Sequence, residues 1–402
     1  MTISKLIPAL MVSSILVACG GGSGASLGGL TNTNTGGSST GTGSSATDGS
    51  STGTGAGTGG STDTGVDGGG DTGTGGVSSN ALLLARNVVD AEYSDALERL
   101  VTVSSSPDNA LNIIDPTGGE QQAIPLSLVP TSLGLSPDGN KAVVGHDGGV
   151  TYINLQTASV VDFYDTIGFK VSDIVLDDAG VAYVTPFSDA QGGNLQSIDL
   201  KTGQVKPSPT TIMLGGAYLK LAPSLKAVYT LDGNVSPVDL EKIDVSVSPP
   251  AGLYDSPYHG DYDMGGYSGN GMWLSEDDAY ILTAGETLFR TAATQDQDML
   301  YQRSLADNDG DYTTNLVHAD HSREAGKFVV ILDKGIIGTG SDYRIKTYTQ
   351  PFLNLEDEQK VSELSPTSST DAVTPQFVFF NSDGSKRYAV LKQGAASYLV
   401  TF

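Results

Sequence analysis

Short apolar runs separated by polar turns set the pattern of this chain from residue 81 onward. The clearest unit is Leu135–Thr157, LSPDGNKAVVGHDGGVTYINLQT, preceded by the apolar run PTSLGLS. A turn at Pro137-Asp138-Gly139-Asn140 leads into a β-rich segment, Lys141–Gly145. A second turn, Asp147-Gly148-Gly149, leads into an alternating segment, Val150–Leu155. Asp-Gly and Gly-Gly turns between short apolar runs predict antiparallel hairpins. No period of 3.6 residues persists over a useful length, so helices are not expected.

The unit recurs. Copies lie at Val89–Asp115, Val175–Leu200, Lys220–Ile243, Met272–Ala292, Val317–Thr349 and Phe377–Phe402. With the first described they make seven, their leading turns falling near residues 95, 138, 178, 224, 277, 324 and 383, about 46 residues apart. Each reads as apolar strand, polar turn, apolar strand, short Gly or Asp turn, alternating strand. A more variable fourth strand follows, as at Val160–Tyr164 and Met299–Ser304. Four short antiparallel strands repeated every 40–50 residues predict the blades of a β-propeller. A sandwich array lacks such a period, and the rungs of a parallel β-helix are shorter. The expected fold class is therefore all-β, a seven-bladed β-propeller spanning residues 81–402.

The last copy ends at its third strand, Ser397–Phe402, while an apolar run, Ala81-Leu82-Leu83-Leu84-Ala85, precedes the first. This predicts that Asn80–Arg86 supplies the missing outermost strand and closes the ring, removing an open sheet edge. The strings LSPDGNKAVV, LSEDDAYILT and NSDGSKRYAVL resemble the YVTN and WD-like propeller repeats of bacterial extracytoplasmic proteins. That resemblance implies the fold and no particular activity.

The front of the chain is of another kind. Lys5 precedes an apolar stretch, Leu6–Val17, too short for a stable membrane span. It ends in Leu16-Val17-Ala18-Cys19, which resembles the lipobox of bacterial lipoproteins. The resemblance implies that residues 1–19 include a signal peptide cleaved before Cys19, and that the Cys19 thiol is acylated. The membrane would then be a partner through the lipid anchor, held stably by several acyl chains. Gly20, where inner-membrane lipoproteins tend to carry Asp, implies an outer-membrane location. Without the resemblance, the same stretch reads as an ordinary secretory peptide. Residues 20–80 hold 23 Gly and 24 Ser or Thr and no aromatic residue. Such a segment buries too little apolar area to offset its ordering entropy, so a disordered linker spanning about 40–47 Å is expected. Cys19 is the only cysteine, which leaves the domain to its core alone, without disulfides.

Charge narrows the partners. Residues 81–402 carry 42 acidic and 20 basic side chains, a surface that repels nucleic acid and anionic membrane. Cations and cationic partners remain compatible with it.

Candidate chemistry gathers in three long inter-blade segments, Ala251–Gly271, Ala306–Asn315 and Ser365–Thr374, expected on one face. The first holds Tyr254, Tyr258, His259, Asp261, Tyr262, Asp263 and Tyr267 among glycines. Three readings are open for it. It plugs the channel mouth, it is a tyrosine-rich recognition surface, or His259, Asp261 and Asp263 face a cation together. The second holds Asp307, Asp309 and Asp311 in a D-x-D-G-D run, which is either a loose Ca²⁺ site or an Asx-rich turn. Alternation puts His318 and Asp320 on one face of a strand and His321 near a turn, so the three do not converge. His146 reads as a turn residue before Gly148. No G-x-S-x-G elbow, H-E-x-x-H or phosphate-binding glycine loop occurs. The sequence therefore points to an envelope-anchored lipoprotein whose propeller binds a protein or glycan partner. The alternative is a lactonase-like propeller hydrolase with a divalent metal held by Asp and His in the central channel.

Overall fold

The computed structural model describes residues 80–402, except 188–192, 214–215, 233–235, 266–270, 307–313 and 336–340. Cys19, Tyr267, Asp307, Asp309 and Asp311 lie outside the described residues. The strands form seven antiparallel sheets of four; six read in chain order from the inside out, and the seventh takes its outermost strand from ahead of the first blade. The inner strands are Asn87–Ser94, Pro130–Leu135, Val171–Leu176, Tyr218–Ala222, Met272–Leu274, Asn315–Ser322 and Val373–Phe380. Each touches the inner strands of its two neighbours, the seventh touching the first, so the blades form a closed ring. The expected seven-bladed β-propeller is the fold observed.

Closure follows the anticipated route. Ala81–Leu83 pairs antiparallel with the last strand, Ala396–Thr401, with Ala81 opposite Val400 and Leu83 opposite Tyr398. The Leu84 N–H extends the ladder by donating to the Ser397 carbonyl, and the Leu84 side chain is fully buried.

Burial falls from the middle of each blade outward. Second strands such as Lys141–His146, Ala227–Leu231 and Lys327–Asp333 are apolar and buried on both faces. They are flanked by blades on either side, so they read as continuous apolar runs instead of alternating ones. Outer strands face solvent: Asn354–Lys360 is almost wholly exposed and charged, while Ser159–Tyr164 exposes Val160, Val161 and Phe163.

The core is divided among the seams between blades. One hydrophobic cluster joins blades one and two through Val101, Val103, Leu133 and Val144. Another joins blades six and seven through Val329, Ile331, Val378 and Leu391. The seam between blades seven and one contains Leu84, Leu100, Ile114, Phe379 and Val390. Each of the seven seams has its own cluster. The leading turns also interlock. Gly139, at φ +67, lies against blade one, where a Cβ would come within 2.8 Å of Ser94 Oγ. Ser94 Oγ in turn donates to the Gly139 carbonyl at 2.8 Å.

Two expectations about element boundaries need correction. Ala251–Asp255 is the outer strand of blade four, so the loop into blade five spans only residues 256–271. Pairing with the third strand, Leu240–Asp244, satisfies backbone groups that a loop would leave to solvent. His146 ends a strand and is fully buried, with Nε2 2.8 Å from Thr151 Oγ1 and Nδ1 3.1 Å from the Val129 carbonyl.

A chain beginning at residue 87 lacks the closing strand. It is expected to melt at a lower temperature and less cooperatively than one beginning at residue 80, as read by calorimetry. Equal melting would show that the ring does not need this strand.

Candidate functional site

The inner strands enclose a channel cavity of about 600 Å³. It runs from Thr131, Gly271 and Val317, near the inter-blade loops, to Pro137, Pro223 and Asp278 at the leading turns. Five inner strands carry a bulge at matching register, just before Asp90, Ser132, Asp173, His318 and Phe377. A bulge re-aims the residues that follow it, here toward the channel and the next blade.

The polar residues that follow the bulges clasp neighbouring blades. Asp90 Oδ2 accepts the Leu133 N–H at 2.8 Å, and Asp173 Oδ2 accepts the Leu219 N–H at 2.7 Å. His318 takes the equivalent place in blade six, its Nδ1 accepting the Val378 N–H at 3.3 Å, which leaves its proton on Nε2. Two residues on, Asp320 Oδ2 accepts the Phe380 N–H at 2.7 Å. The other oxygens of Asp90 and Asp173 accept the N–H of Ala91 and Ile174, both at 2.8 Å.

Lys220 is the one lysine or arginine lining the cavity among the described residues. Its Nζ lies 3.7 Å from Glu92 Oε1, which belongs to the inner strand of blade one; the two side chains are 31% and 36% exposed. Burial pulls the Lys220 pKa down, but Glu92, Asp173, Asp90 and Asp320 outweigh it and hold the ammonium above its ordinary value. Burial pushes Asp90 up to about 7, helped by Glu92 and Asp173. It pushes Asp173 up to about 6 and Asp320 well above the usual carboxylate range. Glu276, nearer the leading turns, rises to about 7, again mainly through burial. Burial, then Lys220, drives His318 down to about 3, so it is neutral at physiological pH. His318 is bordered by Trp273, Phe377 and Phe379, at ring-centroid distances of 5.8, 5.3 and 5.2 Å. One sector of the channel wall is therefore aromatic while others carry charge.

The tyrosine-rich segment lies elsewhere. None of Tyr254, Tyr258 and Tyr262 lines the channel; all three pack into the seam between blades four and five. Tyr262 stacks on Tyr301 at 4.2 Å and meets Tyr258 edge-on at 4.8 Å, while Tyr258 Oη accepts the Tyr301 N–H at 3.3 Å. Tyr254 donates to Asp298 Oδ2 at 3.0 Å. Asp298, wholly buried, also accepts from Tyr229 at 2.9 Å, from Lys242 Nζ at 2.8 Å, and from the backbone N–H groups of Ala292 and Met299. The tyrosines thus join the two blades, which corrects the expectation that they plug the channel mouth or form a patch there. The segment is fixed further by Gly285. A Cβ there would sit 2.1 Å from the Asp263 carbonyl, which accepts from Thr287 Oγ1.

The alternating set His259, Asp261 and Asp263 is not what converges. His259, 61% exposed, has Nδ1 2.8 Å from Asp239 Oδ2, a hydrogen bond that raises its pKa. Asp239, Asp255 and His259 bring ligand atoms within 4.8 Å of one another, the one such trio among the described residues. Asp261 stays exposed nearby, and the Asp263 carboxylate accepts the Gly265 N–H at 3.1 Å. The expected divergence of His321 is observed, its Nε2 lying 2.8 Å from Gln350 Oε1, away from His318 and Asp320.

Asp90, Glu92, Asp173, Lys220 and Glu276 went unflagged in the sequence. For the first four the signal is a charged residue inside an otherwise apolar leading strand, as in VVDAEY, VSDIVL and YLKLA, whereas Glu276 lies in the turn after Met272–Leu274 and carries no such mark.

No family model and no curated protein matches the chain. Among solved structures it is similar to Kuenenia stuttgartiensis hydrazine synthase, at 13% identity and a TM-score of 0.54, over 78% of this chain and 97% of that one. It is also similar to the β-propeller domain of Myceliophteria thermophila Cps50 (Swd1), at 11% identity and a TM-score of 0.57, over 80% and 98% of the two chains. At these identities the likeness concerns the fold. Among the described residues no helix is long and apolar enough to cross a membrane.

Two measurements probe these environments. Asp298→Ala leaves the Lys242 ammonium buried and unpaired, and should cost about 3–5 kcal/mol in denaturant unfolding. His259→Ala at the surface should change stability by less than about 0.5 kcal/mol. The second concerns pH. Since folding raises the Asp90 pKa from 3.8 to about 7, its contribution is fully present below about pH 4 and is lost as pH rises to about 7. Asp90→Asn escapes that loss, so its stability relative to wild type should increase across this window.

Proposed function

We propose that the chain is an outer-membrane lipoprotein of the bacterial cell envelope, acylated at Cys19 and extended on the Gly/Ser/Thr-rich segment 20–80. Its propeller, of YVTN or WD-like repeats, is a binding module that meets a protein or glycan partner at the central channel. The anchor rests on the string Leu16-Val17-Ala18-Cys19 and its apolar lead-in. The binding role rests on one observation, the channel cavity of about 600 Å³ lined by aromatic and ionisable side chains. Concave sites that combine apolar walls with a few polar groups of shifted pKa are where ligands bind.

The hydrolase alternative draws less support. The channel residues suited to a metal, Asp90, Asp173, Asp320 and His318, spend acceptor atoms on backbone N–H groups of the next blade. The tight Asp-Asp-His trio lies instead on blade four and the loop that leaves it.

The test is made in cells and on the purified domain. The full chain should incorporate alkyne-palmitate and fractionate with the outer membrane, and Cys19→Ser should lose both properties. The immobilised propeller should retain an envelope component that Val175→Trp, which fills the channel, no longer retains, while Tyr258→Ala still does. Unlabelled wild-type protein would remove the anchor from the proposal. Undiminished capture by Val175→Trp would remove the channel.

A further inference from the structure

We infer that the central channel takes an organic cation, a protonated amine or guanidinium group seated among the inner-strand carboxylates beside Lys220. This rests on the reading of the channel as the binding site, and it names the chemistry of the ligand.

The charge balance of the lining favours a cation. Six carboxyl groups line the cavity, on Asp90, Glu92, Asp173, Glu276, Asp278 and Asp320; among the described residues Lys220 is the one ammonium or guanidinium in that lining, and Arg323, outside it, opposes Glu276 alone of the six. Lys220 pairs with Glu92 at 3.7 Å and lies in the field of Asp90, Asp173 and Asp320, so an anion would have to displace an acidic shell to reach it. A second cation meets carboxylates that a single ammonium leaves undercompensated. Uncompensated buried charge is unfavourable, so supplying a counter-charge is a source of affinity. The wall around Trp273, Phe377 and Phe379 suits the weakly hydrated, partly apolar surface of an organic cation. Beyond the channel, the acidic domain draws cations toward it.

Protonation opposes such a ligand. Asp90 faces Glu92 on its own strand, Asp173 on the inner strand of blade three, and Lys220 on that of blade four. Asp320 faces Glu276 and Asp95 as well as Lys220. Binding should therefore strengthen as pH rises from about 5 to about 8, through the range where Asp173 and Asp90 shed their protons.

The experiment titrates the purified full chain calorimetrically with agmatine, glutarate and maltose as cationic, anionic and neutral probes. Agmatine should bind one to one, more tightly at pH 8 than at pH 5, and the other two should not bind. Glu92→Gln should weaken agmatine about tenfold, a change of about 1.4 kcal/mol. Lys220→Met, which removes the resident ammonium, should tighten it, so the two variants move affinity in opposite directions. Agmatine should also elute the component captured by the immobilised propeller. Glutarate binding that Lys220→Met abolishes would overturn the assignment, and so would agmatine affinity indifferent to both variants. If no probe binds and agmatine does not elute a component that Val175→Trp fails to capture, the cation assignment falls while the channel reading stands.

Discussion

The structure depends on the pairing of Ala81–Leu83 with Ala396–Thr401, because no blade has a core of its own. Apolar side chains are buried in the seams, and every seam needs both of its blades. An open arc of seven blades would leave the seam built from Leu84, Leu100, Phe379 and Val390 exposed on both sides. Hydrophobic burial is the main favourable term in folding, so closing that last seam stabilises the whole cycle. Strands contributed by opposite ends of the chain achieve this. The cost is a contact of very long sequence separation, whose loop-closure entropy grows only slowly with length.

The inner belt is built on a second constraint. Where inner strands of adjacent blades meet, backbone N–H groups need acceptors, and Asp90, Asp173, His318 and Asp320 supply them. These groups therefore serve the ring before they serve any ligand. Their burial raises the pKa of the three acids, so the negative charge of the channel grows as they shed their protons, with Lys220 the one ammonium in the lining among the described residues. The same side chains hold the blades together and set the chemistry of the cavity.

The fold was legible because its signals are local. The turn Pro137–Asn140, the alternation in Val150–Leu155 and their recurrence need only near neighbours in sequence, and even closure could be read from a missing strand at one end and a spare one at the other. The site was much less legible. Tyr254 and Tyr258 read as a recognition surface because their partners, Asp298 and Tyr301, stand more than 40 residues away. His259 likewise meets Asp239, 20 residues earlier, in place of the neighbouring Asp261 and Asp263. Bulges such as that between Val88 and Asp90 interrupt the alternation that would have told channel-facing positions from seam-facing ones. For His318 and Asp320 alternation after the bulge was enough, and both line the channel as their shared face implied.

The outer strands have a consequence for how copies of the protein behave toward one another. Asn354–Lys360 guards its unpaired backbone with Glu356, Asp357, Glu358 and Lys360, whereas Ser159–Tyr164 offers Val160, Val161 and Phe163 along an equally open edge. Such an edge is a template for another strand. No proline or lysine blocks it, and Asp162 is its one charge. What separates two such edges is the long-range repulsion between two strongly acidic bodies, a colloidal protection that reaches about 8 Å at physiological ionic strength and shrinks to about 3 Å in molar salt.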